Sequence, residues 1–301
     1  MDVNTSLPDA IQIIREARYA IVAVYSLQLY EWFATLGKEI ELIHKSRWTS
    51  VKVAYLLCRY YPLLIWPVVI VAYCGTWSYD FCLRFGPPVH GLFMPCQLFP
   101  QAVMLMRAYA FSGRDKRILT LLLMCYAGLA VVDVWSFCTH VSTLPQIAFI
   151  VLGGTGCYPY YGKGYMGFRI GYSMLAATLM DLISLTIVLT VCFRKKNREV
   201  SLARYFCKQG LVAFGLVIAV NVTATGFFFN QSSPHNGLGL PFIMVVSNLI
   251  ACRVILELRR KVSPSEAEVS ARYSIIVRRA LSAQSDEWII ASDRDRWRPF
   301  H

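Results

Sequence analysis

Residues 114–138 read RDKRILTLLLMCYAGLAVVDVWSFC. Arg114, Lys116 and Arg117 stand at the front, and from Ile118 to Cys138 a single charged residue, Asp133, interrupts the apolar run. About 20 apolar residues, rising 1.5 Å each as a helix, cover the ~30 Å hydrocarbon layer of a bilayer. The run is therefore predicted to cross a membrane, with its cations at the front marking the cytoplasmic side.

Outward from this stretch, six further runs repeat the pattern, over about 17–36, 51–73, 89–111, 170–193, 202–229 and 238–258. Apolar residues make up 56% of the chain and charged residues 16%, and the charges gather between the runs. Lipid offers no water to unpaired backbone groups, and the runs lack the two-residue alternation of a barrel strand, so all seven are predicted helices. The fold class is all-α: a polytopic membrane protein with seven transmembrane helices. A short N-terminus, 1–16, precedes a membrane domain over 17–261, and a tail follows over 262–301. Residues 1–17 lack the basic start, apolar core and small-residue cleavage site of a signal peptide, so the first span is expected to act as its own signal.

The loops carry charge in alternation. Lys38, Lys45 and Arg47 lie in the first, Arg114, Lys116 and Arg117 in the third, and Arg194, Lys195, Lys196, Arg198 and Arg204 in the fifth. The second holds Arg84, the fourth Lys163 with Arg169 at its edge, and the sixth no Lys or Arg. Lys and Arg collect on the cytoplasmic side, which puts the N-terminus outside and the C-terminus, opening with Arg259, Arg260 and Lys261, inside. Arg15 and Arg18 argue weakly the other way. The sequons at Asn4 and Asn230 fall on the predicted outer side, whereas Asn221-Val222-Thr223 lies within a span. A net charge of +12 is then the signature of inner loops rather than of nucleic-acid binding.

The stretch Tyr30–Pro62, YEWFATLGKEIELIHKSRWTSVKVAYLLCRYYP, is the most distinctive. Leu36, Ile40 and Ile43 are spaced to share one helical face, Lys38, Glu39, Glu41 and Lys45 suit the wet face, and Trp48 suits a headgroup anchor, so the first loop is expected along the inner membrane surface. Tyr30-Glu31-Trp32, the acidic pair Glu39 and Glu41, Arg47-Trp48, Lys52, and Arg59-Tyr60 with Pro62 together resemble the N-terminal signature of a fungal, basidiomycete-type family of uncharacterised seven-helix membrane proteins, a domain-of-unknown-function family. Arg107-Ala108-Tyr109-Ala110 and Arg253-Val254-Ile255-Leu256-Glu257-Leu258-Arg259 are similar to its third and seventh helix ends, with Glu257 where relatives commonly have Asn. The signature covers about 20–64, and the resemblance implies the topology but no chemistry.

Charges inside spans cost at least ~2.5–3.5 kcal/mol on insertion scales, so each needs a partner or water. Glu31, Arg59, Arg107 and Arg253 form one candidate polar cluster, with a Glu31–Arg59 ion pair expected to tie the first two helices. It reads either as a packing clamp or as a polar lock that opens on activation. Asp181, Asn221 and Asp133 are the candidate lining of an interior pocket for a ligand or cation, with plain interhelical hydrogen bonding as the alternative. At the outer side, Cys82 is a candidate disulfide partner for Cys157, and Cys96 is the alternative. Gly153-Gly154-Thr155-Gly156 lacks the GxxxxGK pattern of a phosphate loop. Cys192 and Cys207 flank the basic fifth loop, a weak palmitoylation signal.

In the tail, Ser263-Pro264-Ser265-Glu266 is a helix start, and a basic amphipathic helix is expected over about 264–283, with Arg272, Arg278 and Arg279 facing anionic lipid. The ten cysteines show no paired CxxC zinc spacing, the five histidines are scattered, and no span carries a catalytic cluster. The seventh span lacks a lysine for a Schiff base. The chain is therefore expected not to be an enzyme and to hold no cofactor. Its expected partners are the bilayer, a small-molecule or lipid ligand and a cytoplasmic signalling protein. Receptor-like signalling through the basic loops is the leading reading; a transporter or channel using Asp181 and Asp133, and a structural scaffold, are the alternatives. The topology suits the plasma membrane and endomembranes alike.

Overall fold

The computed structural model describes residues 7–45, 48–151, 156–159, 165–194, 201–229, 239–262 and 274. Asn4, Asn230, the tail segment 264–283 with Arg272, Arg278 and Arg279, and Gly153 to Thr155 lie outside the described residues. The elements are α1 (Leu7–Glu39), a π-helical turn (Ile40–His44), α2 (Ser50–Cys74), α3 (Tyr79–Gly91), α4 (Phe93–Phe111), α5 (Lys116–Cys138), α6 (Gln146–Val151), α7 (Tyr165–Arg194), α8 (Ser201–Phe229) and α9 (Gly239–Val262). Among the described residues the one extended pairing is a single antiparallel bridge between Thr143 and Pro159.

Five helical stretches are long and apolar enough to cross a membrane: Ser50–Cys74, Tyr79–Phe111, Lys116–Cys138, Met166–Val191 and Gly239–Arg260. In α8 the apolar stretch among the described residues is Phe214–Phe229. Helix α1 is long enough, but its first half carries Arg15, Glu16 and Arg18 and its inward stripe carries Gln28, Glu31 and Glu39. Leu64, Met124, Val131 and Phe193 stand outward, an arrangement costly in water and natural in lipid. The chain is an all-helical, membrane-embedded protein.

Several element ends differ from the sequence reading. Helix α1 begins at Leu7 rather than near Ala17 and runs past Leu36 without a break. The third run begins at Tyr79, because Ser78 caps α3 by accepting from the Phe81 N–H at 3.3 Å. Thr49 and Asp115 cap α2 and α5 in the same way. Between α4 and α5, Gly113 adopts φ +80°, a conformation open to glycine at little cost.

Proline shapes the third rod. Pro100 has no N–H for the Cys96 carbonyl one turn earlier. Asn248 of α9 supplies the missing donor, with its Nδ2 at 2.7 Å from that carbonyl. The Tyr61 hydroxyl likewise donates to the Leu92 carbonyl, at 3.0 Å, where α3 gives way to α4.

The apolar core has two parts. Trp66, Tyr73, Phe93, Phe137 and Phe228 fill one, with the Trp66 and Phe93 rings 5.7 Å apart. Ile43, Tyr55, Cys58, Val103 and Ile255 fill the other, towards the π-helical turn. Helix α7 packs on α8, α5 and α4. The chain divides into two compact units, Met1–Leu256 and Glu257–His301; in the second, Arg260 pairs with Glu257 at 2.9 Å.

Candidate functional site

The π-turn end of the bundle gathers the charged residues. Because α1 runs on through Glu39, the row Glu31, Thr35, Glu39, Ile43 continues at four-residue steps towards α2. Glu39 and Ile43 are wholly buried, while Ile40 is half exposed and Lys38, Glu41 and Lys45 are exposed. This corrects the expected surface helix: Glu39 faces inward and Ile40 outward. The π turn widens the helix by one residue per turn and keeps Glu39 and Ile43 on the bundle side.

Glu39 and Arg59 of α2 form a buried ion pair, Oε2 to Nε 2.5 Å, with side-chain exposures of 0% and 5%. The Tyr60 hydroxyl donates to Glu39 Oε1 at 2.9 Å, and Arg59 Nη2 donates to the Trp32 carbonyl at 2.9 Å. Arg59 thus reaches both the Trp32 and Glu39 levels of α1. The expected Glu31–Arg59 pair is not formed. Arg59 takes the second acid, and Glu31 is gripped by both guanidinium arms of Arg253 on α9, with Nε donating to Oε2 at 3.1 Å and Nη2 to Oε1. Here the arginine side chain is 65% exposed and the glutamate 8%. Lys52 Nζ donates to the His44 carbonyl at 3.1 Å and lies 4.7 Å from the Trp48 ring centroid, placing a cation at the carbonyl-rich end of the π turn. Arg107 is buried on α4, its guanidinium 5.6 Å from the Phe111 ring centroid.

The middle of the bundle holds two neutral-donor groups around its carboxylates. Asp181 Oδ2 accepts from Gln101 Nε2 at 3.1 Å and Asn221 Nδ2 at 2.9 Å, joining α4, α7 and α8. Asp133 Oδ1 accepts from the Ser173 hydroxyl at 2.6 Å, and Gln97 Nε2 also donates to that hydroxyl oxygen at 3.1 Å. Asp181 and Asn221 therefore meet in an interhelical hydrogen bond, the alternative to a pocket lining. Asp133 stands apart, since Ser173 and Asp181 are separated by about 12 Å of helix rise. Gln97 and Gln101, one turn apart, and the row Ser173, Ala177, Asp181, Ser184 were the signals that could have named these partners.

The opposite end is closed by the loop after α6. Cys82 and Cys157 form a disulfide, with Cα atoms 4.8 Å apart. Cys96, the alternative partner, is a buried free thiol. The Cys157 N–H donates to the Ala72 carbonyl at 2.9 Å, and a Cβ on Gly156 would overlap the Tyr73 backbone. Burial pushes the Tyr158 phenol well above its usual range, opposed by the neighbouring Arg18. Nearby, Arg169 donates to the Thr139 hydroxyl and covers Trp135 at 4.7 Å. His90 Nδ1 carries a hydrogen to the Phe137 carbonyl at 3.0 Å.

Together these define a membrane-embedded helical bundle with ion pairs at one end, amide-clasped carboxylates in the middle and a bridged loop over the other end. Residues 19–64 match the family of unknown function DUF6533. No curated protein and no solved structure matches the chain. In this chain the matched segment holds Glu31, Trp32, Glu39, Lys52, Arg59 and Tyr60 and so supplies one side of the ion-pair cluster, with Arg253 arriving from α9. Among the described residues no group of three or more His, Cys, Asp or Glu is placed to hold a metal ion.

Proposed function

We infer that this chain is a receptor-like signalling protein, with its N-terminus outside, its C-terminus cytoplasmic, and a resting arrangement held by the Glu31–Arg253 pair. The observation that carries the reading is the contrast between the two ion pairs. Separating Glu39 from Arg59 would strand two buried charges, whereas separating Glu31 from Arg253 strands one, because the arginine head is already mostly exposed and can remain at the membrane–water boundary. The α1–α9 contact is then the joint that opens, and the α1–α2 contact the hinge that stays closed. A small-molecule or lipid ligand that favours the open arrangement would shift the population by its difference in affinity for the two states. The basic inner loops would present the change to a cytoplasmic partner. The transporter reading draws less support, since its two carboxylates sit in separate hydrogen-bonded groups.

Arg253→Gln is expected to raise amide hydrogen exchange in α1 around Glu31 and in α9 around Arg253 about fivefold, the equivalent of ~1 kcal/mol of local opening. The charge-exchanged variant Glu31→Arg/Arg253→Glu should restore protection. Single variants that exchange like the wild type would remove the joint from the account.

Orientation has its own check. In a glycosylating host, deglycosylation is expected to shift the mobility of the wild type and not of the Asn4→Gln/Asn230→Gln variant. A wild type that never shifts would leave the outward N-terminus without this support.

A further inference from the structure

We propose that Asp181, Ser184 and Gln101 form a binding site for a small monovalent cation, sodium, in the middle of the bundle. Asp181 and Ser184 are both wholly buried and Gln101 nearly so. The two bonds to Asp181 both end on Oδ2, and both come from neutral amides. Its Oδ1 has no hydrogen-bond partner, nor has the Ser184 Oγ, nor the Gln101 Oε1. A carboxylate can only accept, so Gln101 must turn its NH2 to Asp181, and its carbonyl oxygen is left over from that bond. Ser184 stands three residues along α7 from Asp181 and so shares its face. Three buried oxygens of three chemical kinds thus lie on residues linked by a hydrogen bond, Gln101 to Asp181, or by one helical turn, Asp181 to Ser184, and no Lys, Arg or His among the described residues has a bond to the carboxylate.

A charge buried without a counter-ion, together with an orphaned amide oxygen and an unpartnered hydroxyl, is a costly arrangement in a low-dielectric interior. One occupant that accepts electron pairs from several oxygens relieves it. A proton on Oδ1 would neutralise the carboxylate and make one hydrogen bond, without drawing the three oxygens to a common centre. A cation is able to engage all three oxygens. The donor set selects among cations: all-oxygen ligands exclude the softer transition metals, and a single carboxylate is sparse for calcium, whose sites gather several. Sodium, hard and singly charged, balances the one negative charge. Gln101 comes from α4 and Asp181 and Ser184 from α7, so an ion here would tighten the contact of α4 with α7. The proposal is independent of the receptor reading, which rests on the opposite set of charges.

The test is thermal unfolding of the purified full-length chain in detergent, with sodium chloride replacing choline chloride at constant ionic strength. The wild-type melting temperature is expected to rise saturably, by about 3 °C once sodium is roughly tenfold above its dissociation constant. Asp181→Asn should abolish the rise. Ser184→Ala, a small deletion that should fold whatever becomes of the aspartate variant, should shift the sodium midpoint at least tenfold upward. Equal melting in sodium and choline would overturn the proposal, as would a sodium response of undiminished size and midpoint in Ser184→Ala. A wild type indifferent to sodium but stabilised by acid through Asp181 would assign the site to a proton and equally end the sodium proposal.

Discussion

Arg59→Gln is expected to cost about 3–5 kcal/mol of folding stability, the range for removing one partner of a buried ion pair. The loss comes chiefly from Glu39, which would be left wholly buried with Tyr60 as its remaining donor. Glutamine can still reach the Trp32 carbonyl, so the backbone bond is a minor part. Glu39→Gln should cost less than this but fall in the same direction, since the longer Arg59 retains the Trp32 carbonyl and the Tyr55 ring face 5.9 Å away. The double variant Glu39→Gln/Arg59→Gln leaves no lone charge and should be more stable than the sum of the single losses implies. Unfolding in mixed micelles measures all three. Strict additivity would show that the two residues act independently and that charge stranding is not the source. By contrast, neutralising the exposed partner at Arg253 should cost no more than about 1 kcal/mol after solvent screening.

The second large effect lies at the other end. Cys82→Ser is expected to cost about 2–4 kcal/mol, because the bridge closes a loop between residues 75 positions apart. The closed segment includes the rest of α3, all of α4, α5 and α6, and the loop that returns to α2. Reductant should lower the wild-type melting temperature by several degrees and leave Cys82→Ser unchanged; a wild type unmoved by reductant would contradict the bridge's role. Gly156→Ala offers the same test without touching sulfur. Its methyl group would collide with the Tyr73 backbone, which cannot yield as a side chain could, so the loop must lift and Cys157 with it. The fraction of bridged protein, read by thiol labelling under denaturing conditions, should fall.

Reading along the chain identified what is local. Apolar runs of bilayer length marked the helices because lipid leaves the backbone no alternative. The ends of those helices were less visible, since they depend on partners far away. Glu39 looked like a surface residue until Arg59 and Tyr60 on α2 were seen to satisfy it, and α1 could not be followed past Leu36 without them. The same limit applies to the ion pairs. Glu31, Arg59 and Arg253 were recognisable as buried charges, but which acid meets which arginine depends on how α9 lies beside α1. Asp133 and Asp181 carried the same residue signal, and only their separate amide and hydroxyl donors distinguish them.

Pro100 also specifies how α9 sits beside α4. By leaving one carbonyl free at one height, it sets an address on α4 that only a neighbouring helix with an amide at the same height can read, and Asn248 is that amide. Sliding α9 by one turn, about 5.4 Å, would separate both groups from their partners in a medium with no water to replace them. Apolar faces tolerate many such offsets, because one leucine ridge fits a lipid-lined groove nearly as well as the next. The break in one helix's ladder therefore acts as a register mark for another, selecting a single offset among packings of similar apolar area.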